Sequence, residues 1–265
     1  MDFKERFSAE GWLRVQGIFE PSFIDSVRHE FESQYDALVA AGPDAPGVKM
    51  LGDQRMQLMV RLQGPLLDSR LYANPLLVTI LTQLLGDDIL IDSFACVVAL
   101  PGAQDQRPHR DHPKLFPGAG ELNWKLLPFG VIVGIPLIDL TLENGTMKLF
   151  PGIPRDKEAG RAELPNTARG DCFIMDYRTK HQGTANRSAR SRPMLYIVYC
   201  RPWFTDTVNF RGQPRINIDP ADFETIPEAH RYLFRRLAAK GGFDRSEFEL
   251  LAGSPSVRAP AISRT

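Results

Sequence analysis

The chain has 265 residues, 32 basic and 32 acidic side chains, and a formal net charge of zero. Arginines and carboxylates are interspersed rather than run in blocks, which excludes nucleic acid and anionic membrane surfaces as bulk electrostatic partners. Hydrophobic residues make up 43% of the chain, ordinary for a soluble core, and no apolar run approaches the ~20 residues that span a bilayer.

The opening Met1-Asp2-Phe3-Lys4-Glu5-Arg6 lacks the apolar centre of a secretion signal. Three cysteines, Cys96, Cys172 and Cys200, sit in apolar segments; their odd number and setting read as buried reduced thiols. A cytoplasmic protein is expected. The first ninety residues read as mainly helical. Ser8-Ala9-Glu10-Gly11 leads into a short apolar run, Trp12 to Val15, and Pro21 opens a helix with Ile24, Val27, Phe31, Tyr35 and Leu38 near a 3.6 period. Asn74-Pro75 opens another that carries Leu76, Leu77, Ile80, Leu81 and Leu84 and stops at Gly86.

From Asp87 the pattern changes to strands: Ile89 to Ile91, Phe94 to Leu100, Gly130 to Ile138, Thr146 to Phe150, Asp171 to Asp176 and Met194 to Cys200. Pro101-Gly102, Glu143-Asn144-Gly145, Pro151-Gly152 and Arg169-Gly170-Asp171 punctuate them with turn chemistry. Pro136 within a strand pattern predicts an edge or a bulge. One further helix is predicted from Pro227 to Lys240, and the polar tail Ser254 to Thr265 is expected to be mobile. Short strands between Gly, Pro and Asn predict a mainly β sandwich or barrel. The expected organisation is one domain over 1–265: a helical part to about 86, a β core over about 87–204, and a helical extension over about 205–265.

Of the five histidines, two stand in informative places. His109-Arg110-Asp111 follows a strand and a turn, and residues i and i+2 of an extended segment face the same side. An imidazole and a carboxylate so placed can share one metal ion, and one more donor completes a face of an octahedron with three positions left open. That is the arrangement of non-haem Fe(II) sites that activate O2. His181, in a polar bend after a strand, is the third candidate. Arg192, eleven residues on, offers a fork to a carboxylate at the entrance to the last strand, with Arg190 as its competitor. His112 is off the ligand parity and reads as a supporting or solvated residue, as do His29 and His230 on helix faces. Trp124 and Phe129 read as pocket wall or core; Gln57, Arg61, Trp203 and Phe204 as structural.

The run His181-Gln182-Gly183-Thr184-Ala185-Asn186-Arg187-Ser188-Ala189-Arg190-Ser191-Arg192 resembles the distal motif of the phytanoyl-CoA dioxygenase family of Fe(II)/2-oxoglutarate-dependent dioxygenases: a His, an Asn five residues on, a Ser at seven and an Arg at eleven. Ile138-Asp139, Glu143-Asn144-Gly145, Thr146 and Pro151-Gly152 resemble that family's middle block, and Glu10-Gly11-Trp12 its opening. The resemblance covers roughly positions 8 to 204. It implies a double-stranded β-helix (a cupin-like jelly roll) with packing helices, Fe(II) on His109, Asp111 and His181, 2-oxoglutarate with its far carboxylate on Arg192, and O2 as oxidant. Hydroxylation of an unactivated carbon of a small organic molecule, with release of succinate and CO2, is the implied activity. The same iron chemistry can instead end in desaturation, cyclisation or epimerisation, and a metal-binding or sensing jelly roll without activity is the third reading. The chain departs from the family in Gln182-Gly183-Thr184, where Gly-Ser is usual, so Thr184 is the candidate hydroxyl toward the co-substrate, and in Ile153-Pro154, where Ser-His is usual. Asp111, where related halogenases carry a small residue, argues for oxygen transfer. Substrate and oligomeric state are not legible.

Overall fold

The computed structural model describes residues 3–239, apart from 43–44, 46–47, 113, 117, 153–161 and 211–213. In chain order the elements begin with α1 (Phe3–Glu10), β1 (Trp12–Val15), α2 (Pro21–Ala41), β2 (Lys49–Met50), β3 (Arg55–Leu58), a 3-10 turn at Gly64–Leu67, α3 (Ser69–Tyr72), α4 (Pro75–Leu85) and β4 (Leu90–Ala99). They continue with α5 (Leu122–Lys125), β5 (Gly130–Pro136), β6 (Met147–Phe150), β7 (Cys172–Asp176), β8 (Lys180–Gly183) and β9 (Arg192–Cys200). The last described elements are α6 (Pro220–Glu224), a 3-10 helix at Glu228–Phe234 and α7 (Arg235–Ala239).

Seven strands form one antiparallel sheet in the order β1-β7-β5-β9-β4-β3-β2, and β6 pairs with β8 in a second. This is the two-sheet jelly roll. Strand parity sorts the side chains into two cores. On β9, Leu195, Ile197 and Tyr199 face the helices, where Ile24, Val27 and Phe31 of α2 and Leu77 and Leu81 of α4 cover them. Met194, Val198 and Cys200 face the smaller sheet and meet Met147 and Leu149. Full burial of each of these aliphatic side chains contributes roughly 1.5–3 kcal/mol. Asn74 caps α4 by accepting from the N–H groups of Leu76 and Leu77 (3.0 and 3.3 Å), with Pro75 at the first helical position.

The structure corrects several expectations. The N-terminal part is not only helical: β1 completes one edge of the large sheet against β7, and β3 and β2 extend the other. β3 alternates polar and apolar side chains, yet all four of Arg55, Met56, Gln57 and Leu58 are buried. Pro136 lies on an interior strand, at its end. There β7 has already stopped pairing at Gly134, so no ladder neighbour needs the missing N–H. The two strands read before Leu100 are one, with an irregularity between Ile91 and Ser93. The helix expected from Pro227 is a 3-10 turn followed by α7; its end at Lys240 and the tail Ser254 to Thr265 lie outside the described residues.

Candidate metal centre

His109 is not in a strand. It forms a single antiparallel bridge with His181 of β8, each N–H donating to the other's carbonyl at 2.8 and 2.9 Å. Gln106 N–H also donates to the Gly183 carbonyl (2.9 Å), so residues 106–109 run beside β8 as an extra edge of the small sheet. Directly opposed residues of an antiparallel pair project to the same face. This places the two imidazoles 4.4 Å apart between ring centroids.

Asp111 closes the triangle. Its carboxylate oxygens stand 3.7 Å from His109 Nε2 and 3.5 Å from His181 Nε2, and one donor atom from each of the three residues lies within 4.8 Å of the others. Cis ligands of an octahedral ion with ~2.1 Å bonds are about 3 Å apart, so small side-chain rotations suffice to bring the three onto one cation. The far ring nitrogens support that use. His109 Nδ1 is 2.9 Å from the Arg107 carbonyl and His181 Nδ1 is 3.1 Å from the Thr179 carbonyl. An Nδ1–H donated to a carbonyl fixes the tautomer whose Nε2 lone pair is free for a metal. Burial holds the His181 imidazole below its ordinary pKa, partly offset by Asp111, which favours the neutral ligand form.

A second group of side chains lies on the large sheet. Arg192, the first residue of β9, is 1% exposed, and its Nε and Nη1 have no hydrogen-bond partner among the described residues. Arg190 is exposed, and its carbonyl accepts from Asn186 and Ser188. The side chain of Asn186 also binds the Ala99 carbonyl and accepts from Ser188, so Asn186 and Ser188 staple the loop that delivers Arg192. Arg55 of β3 is 2% exposed, donates from Nη2 to the carbonyls of Gln104 and Thr184 (3.2 and 3.0 Å), and has an unpartnered Nε. Burial, and then the nearby Arg192 charge, lower its pKa to about 10. Two buried guanidiniums with unmet donors suit a dianionic ligand far better than an empty core. The Thr184 hydroxyl meets the Thr146 backbone twice, accepting from its N–H (2.7 Å) and donating to its carbonyl (3.0 Å).

Residues 7–194 match the phytanoyl-CoA dioxygenase (PhyH) family. The chain belongs to that family. It is 26% identical over 154 residues to the dioxygenase af480 of Aspergillus fumigatus, an alignment covering 54% of this chain and 48% of the relative; the chain thus spans about half the length of that curated relative. The fold is shared with the non-heme monooxygenase ThoJ in its nickel complex, at TM-score 0.60 and 19% identity over 95% of this chain and 99% of the other. It is also shared with the epimerase SnoN in complex with Fe3+, alpha ketoglutarate and nogalamycin RO, at TM-score 0.54 and 17% identity over 80% and 91%.

In this phytanoyl-CoA dioxygenase family member, a cavity of about 600 Å³ opens between the sheets and is bounded by His109, Asp111, His181, Arg55, Gln57 and Tyr196. It exists because β4 contributes only Ser93, Ala95 and Val97 to that face. The C-terminal segment braces its mouth. Asn209 donates from Nδ2 to the Asp111 carbonyl (2.6 Å) and to Asp206 (2.8 Å), and its own carbonyl accepts from Lys49. Tyr177 donates to Asp206 (3.2 Å), and Arg215 and Arg236 both pair with buried Asp92. His112 packs among Phe129, Tyr177 and Phe204. His29 is exposed, and His230 sits edge-on to Tyr72. Arg61 pairs with Asp219 (2.5 Å), and Trp203 is exposed.

Sequence reasoning missed Arg55, Tyr196 and Asn209. Only Arg55 left a signal: an arginine in a short stretch, Arg55-Met56-Gln57-Leu58, that carries no helical cap and no turn residue.

Proposed function

We propose that the chain is an Fe(II)- and 2-oxoglutarate-dependent oxygenase that hydroxylates an unactivated carbon of a small organic molecule. The observation that carries this is the pairing of a facial His109–Asp111–His181 set with two buried arginines whose donors are unmet, in one fold of the PhyH family. In this reading His109 Nε2, Asp111 and His181 Nε2 hold the metal, and Arg192 with Arg55 holds the far carboxylate of 2-oxoglutarate. Bound Fe(II) with 2-oxoglutarate and O2 supplies the oxidant for a C–H bond, one oxygen atom entering succinate and the other the product. The chain's own part is positional. The His109–His181 backbone pair keeps two ligands in register, Asn209 holds the Asp111 backbone, and Thr184 serves through its carbonyl, which fixes Arg55. The apolar face formed by buried Ile132 and Val198 with half-buried Tyr196 limits water at the reacting carbon.

Succinate formation from 2-oxoglutarate that requires both Fe(II) and O2 tests the reading. Asp111→Ala is expected to lower it more than about 100-fold with the fold retained by circular dichroism. Turnover unchanged in Asp111→Ala overturns it. Product mass separates hydroxylation, which adds one oxygen atom, from epimerisation, which adds none, and from desaturation, which removes two hydrogens.

A further inference from the structure

The cavity between the sheets is formally neutral. Four lysine or arginine side chains and four aspartates line it, and a divalent metal on the triad together with a dianionic co-substrate leaves that balance unchanged. Its net charge therefore gives no advantage to an ionised substrate over a neutral one. The hydrogen-bonding capacity of its wall is a separate matter. Three glutamines border the cavity, Gln57, Gln104 and Gln106, and two of them are occupied by the chain itself. Gln104 donates to the Gly102 carbonyl (2.8 Å), while Gln106 donates to the Leu51 carbonyl (3.1 Å) and accepts from the Gly183 N–H (2.9 Å).

Gln57 is different. It is 8% exposed, and among the described residues its amide has no hydrogen-bond partner. Strand pairing explains why. Gln57 lies directly opposite Lys49 of β2 on one side and Val97 of β4 on the other, and opposed residues of an antiparallel pair share a face. Val97 offers nothing polar. Lys49 turns elsewhere, its ammonium donating to the Asn209 carbonyl. Arg55, the other cavity-lining side chain of β3, is two residues away, about 7 Å along the strand, and is bonded to the carbonyls of Gln104 and Thr184. A buried amide that bonds nothing is costly. One that meets a ligand presents a donor at Nε2 and an acceptor at Oε1 together.

We infer that Gln57 is a specificity-determining residue of the cavity, whose amide anchors a neutral substrate through a group that both donates and accepts a hydrogen bond. An alcohol or a carboxamide supplies that shared chemistry, on an apolar frame that lies over Ala95, Val97 and Val198 of the cavity wall. This deepens the oxygenase reading by naming its substrate class; it rests on that reading for the reaction and not for the binding. A site built around an unpaired buried amide rejects a hydrocarbon isostere, which leaves both amide atoms unmet. It also disfavours a carboxylate, which has no donor for Oε1.

Equilibrium dialysis of the full chain, kept anaerobic with Fe(II) and saturating 2-oxoglutarate, tests it with four probes of one frame: 2-naphthylmethanol, 2-naphthamide, 2-naphthoate and 2-methylnaphthalene. The alcohol or the amide is expected to bind about tenfold or more tightly than both the carboxylate and the hydrocarbon, and the tighter of the two identifies the group. Gln57→Leu is expected to erase that preference, while the affinity for 2-oxoglutarate, read from the visible absorption of the Fe(II) complex, changes by less than about twofold. Gln57→Met takes its place if Gln57→Leu does not fold. A carboxylate or hydrocarbon that binds as tightly as the alcohol and the amide overturns the inference, as does a preference that survives the substitution. Loss of 2-oxoglutarate binding in the variant also overturns it, because the amide then belongs to the diacid's own site. If the wild type shows no Fe(II)-dependent 2-oxoglutarate absorption, the oxygenase reading alone is sunk, and the four probes dialysed without the diacid still decide the role of Gln57.

Discussion

Replacing Arg192 by methionine should make the ligand-free protein more stable and the liganded protein less so. The Arg192 side chain is enclosed, with two unmet N–H positions and the Arg55 charge nearby. Each unmet buried donor costs about 1–3 kcal/mol, and exchanging a buried charged group for a packed apolar one of similar volume is commonly neutral or stabilising by about 1–4 kcal/mol. For a domain of this size, 1 kcal/mol moves the melting temperature by about 2–4 °C. Arg192→Met is thus expected to melt at least about 2 °C above wild type in anaerobic buffer with Fe(II) and no 2-oxoglutarate. Added at about 100 times its Kd, 2-oxoglutarate should stabilise the wild type by about 2.7 kcal/mol and the variant hardly at all. Thermal melts of both proteins with and without 2-oxoglutarate give all four numbers. A variant that melts several degrees lower without ligand, or that keeps the full ligand-induced rise, refutes the idea that this guanidinium is held in reserve for a carboxylate.

Other perturbations reach the same machinery. A Cβ at Gly183 would lie 2.8 Å from Arg55 Nη1 and 2.7 Å from Gln106 Oε1, so Gly183→Ala should raise the KM for 2-oxoglutarate by about tenfold or more with little change in far-UV dichroism. Asn209→Ala removes the donor to the Asp111 carbonyl and should weaken Fe(II) binding by about 10–100-fold in a direct metal titration. The thiols give a pH signature. Burial pushes Cys172 and Cys200 up to about 12 and Cys96 higher still, against about 8.5 in the unfolded chain. Their contribution is therefore complete below about pH 8.5 and is lost as pH rises toward 12, at about 1.4 kcal/mol per pH unit for each thiol. Urea unfolding at pH 8, 9.5 and 10.5 should show that decline, and iodoacetamide at pH 8.5 should label the cysteines only after unfolding.

What could be read before folding was whatever has a local cause. The helix after Pro21 and the one capped by Asn74 follow from apolar spacing and an N-terminal signal, and the strands at Gly130 and Cys172 from short apolar runs between turns. His109, Asp111, His181 and Arg192 were legible as spacing. How they meet was not, since the partner of His109 is a backbone seventy-two positions away in a strand, Lys-His-Gln-Gly, with no apolar pattern. Arg55 escaped for a related reason. Among the described residues no carboxylate pairs directly with this buried guanidinium, and propensity rules are built on cores that satisfy themselves. Asn209 was hidden by distance, acting on Asp111 from a segment that sequence marks only as polar.

The two layers of the jelly roll carry different halves of the centre. His181 and the strand-like 106–109 edge belong to the small sheet, while Arg55 and Arg192 belong to the large one. A molecule gripped at both ends would act as a rivet through the sandwich, drawing the layers to one spacing. On the proposed reading of the site, the gap between the sheets would work as a ruler for the diacid: one methylene more or less should be felt at the metal end and the arginine end together, so selection among dicarboxylates would lie in the separation of the sheets as much as in any single side chain.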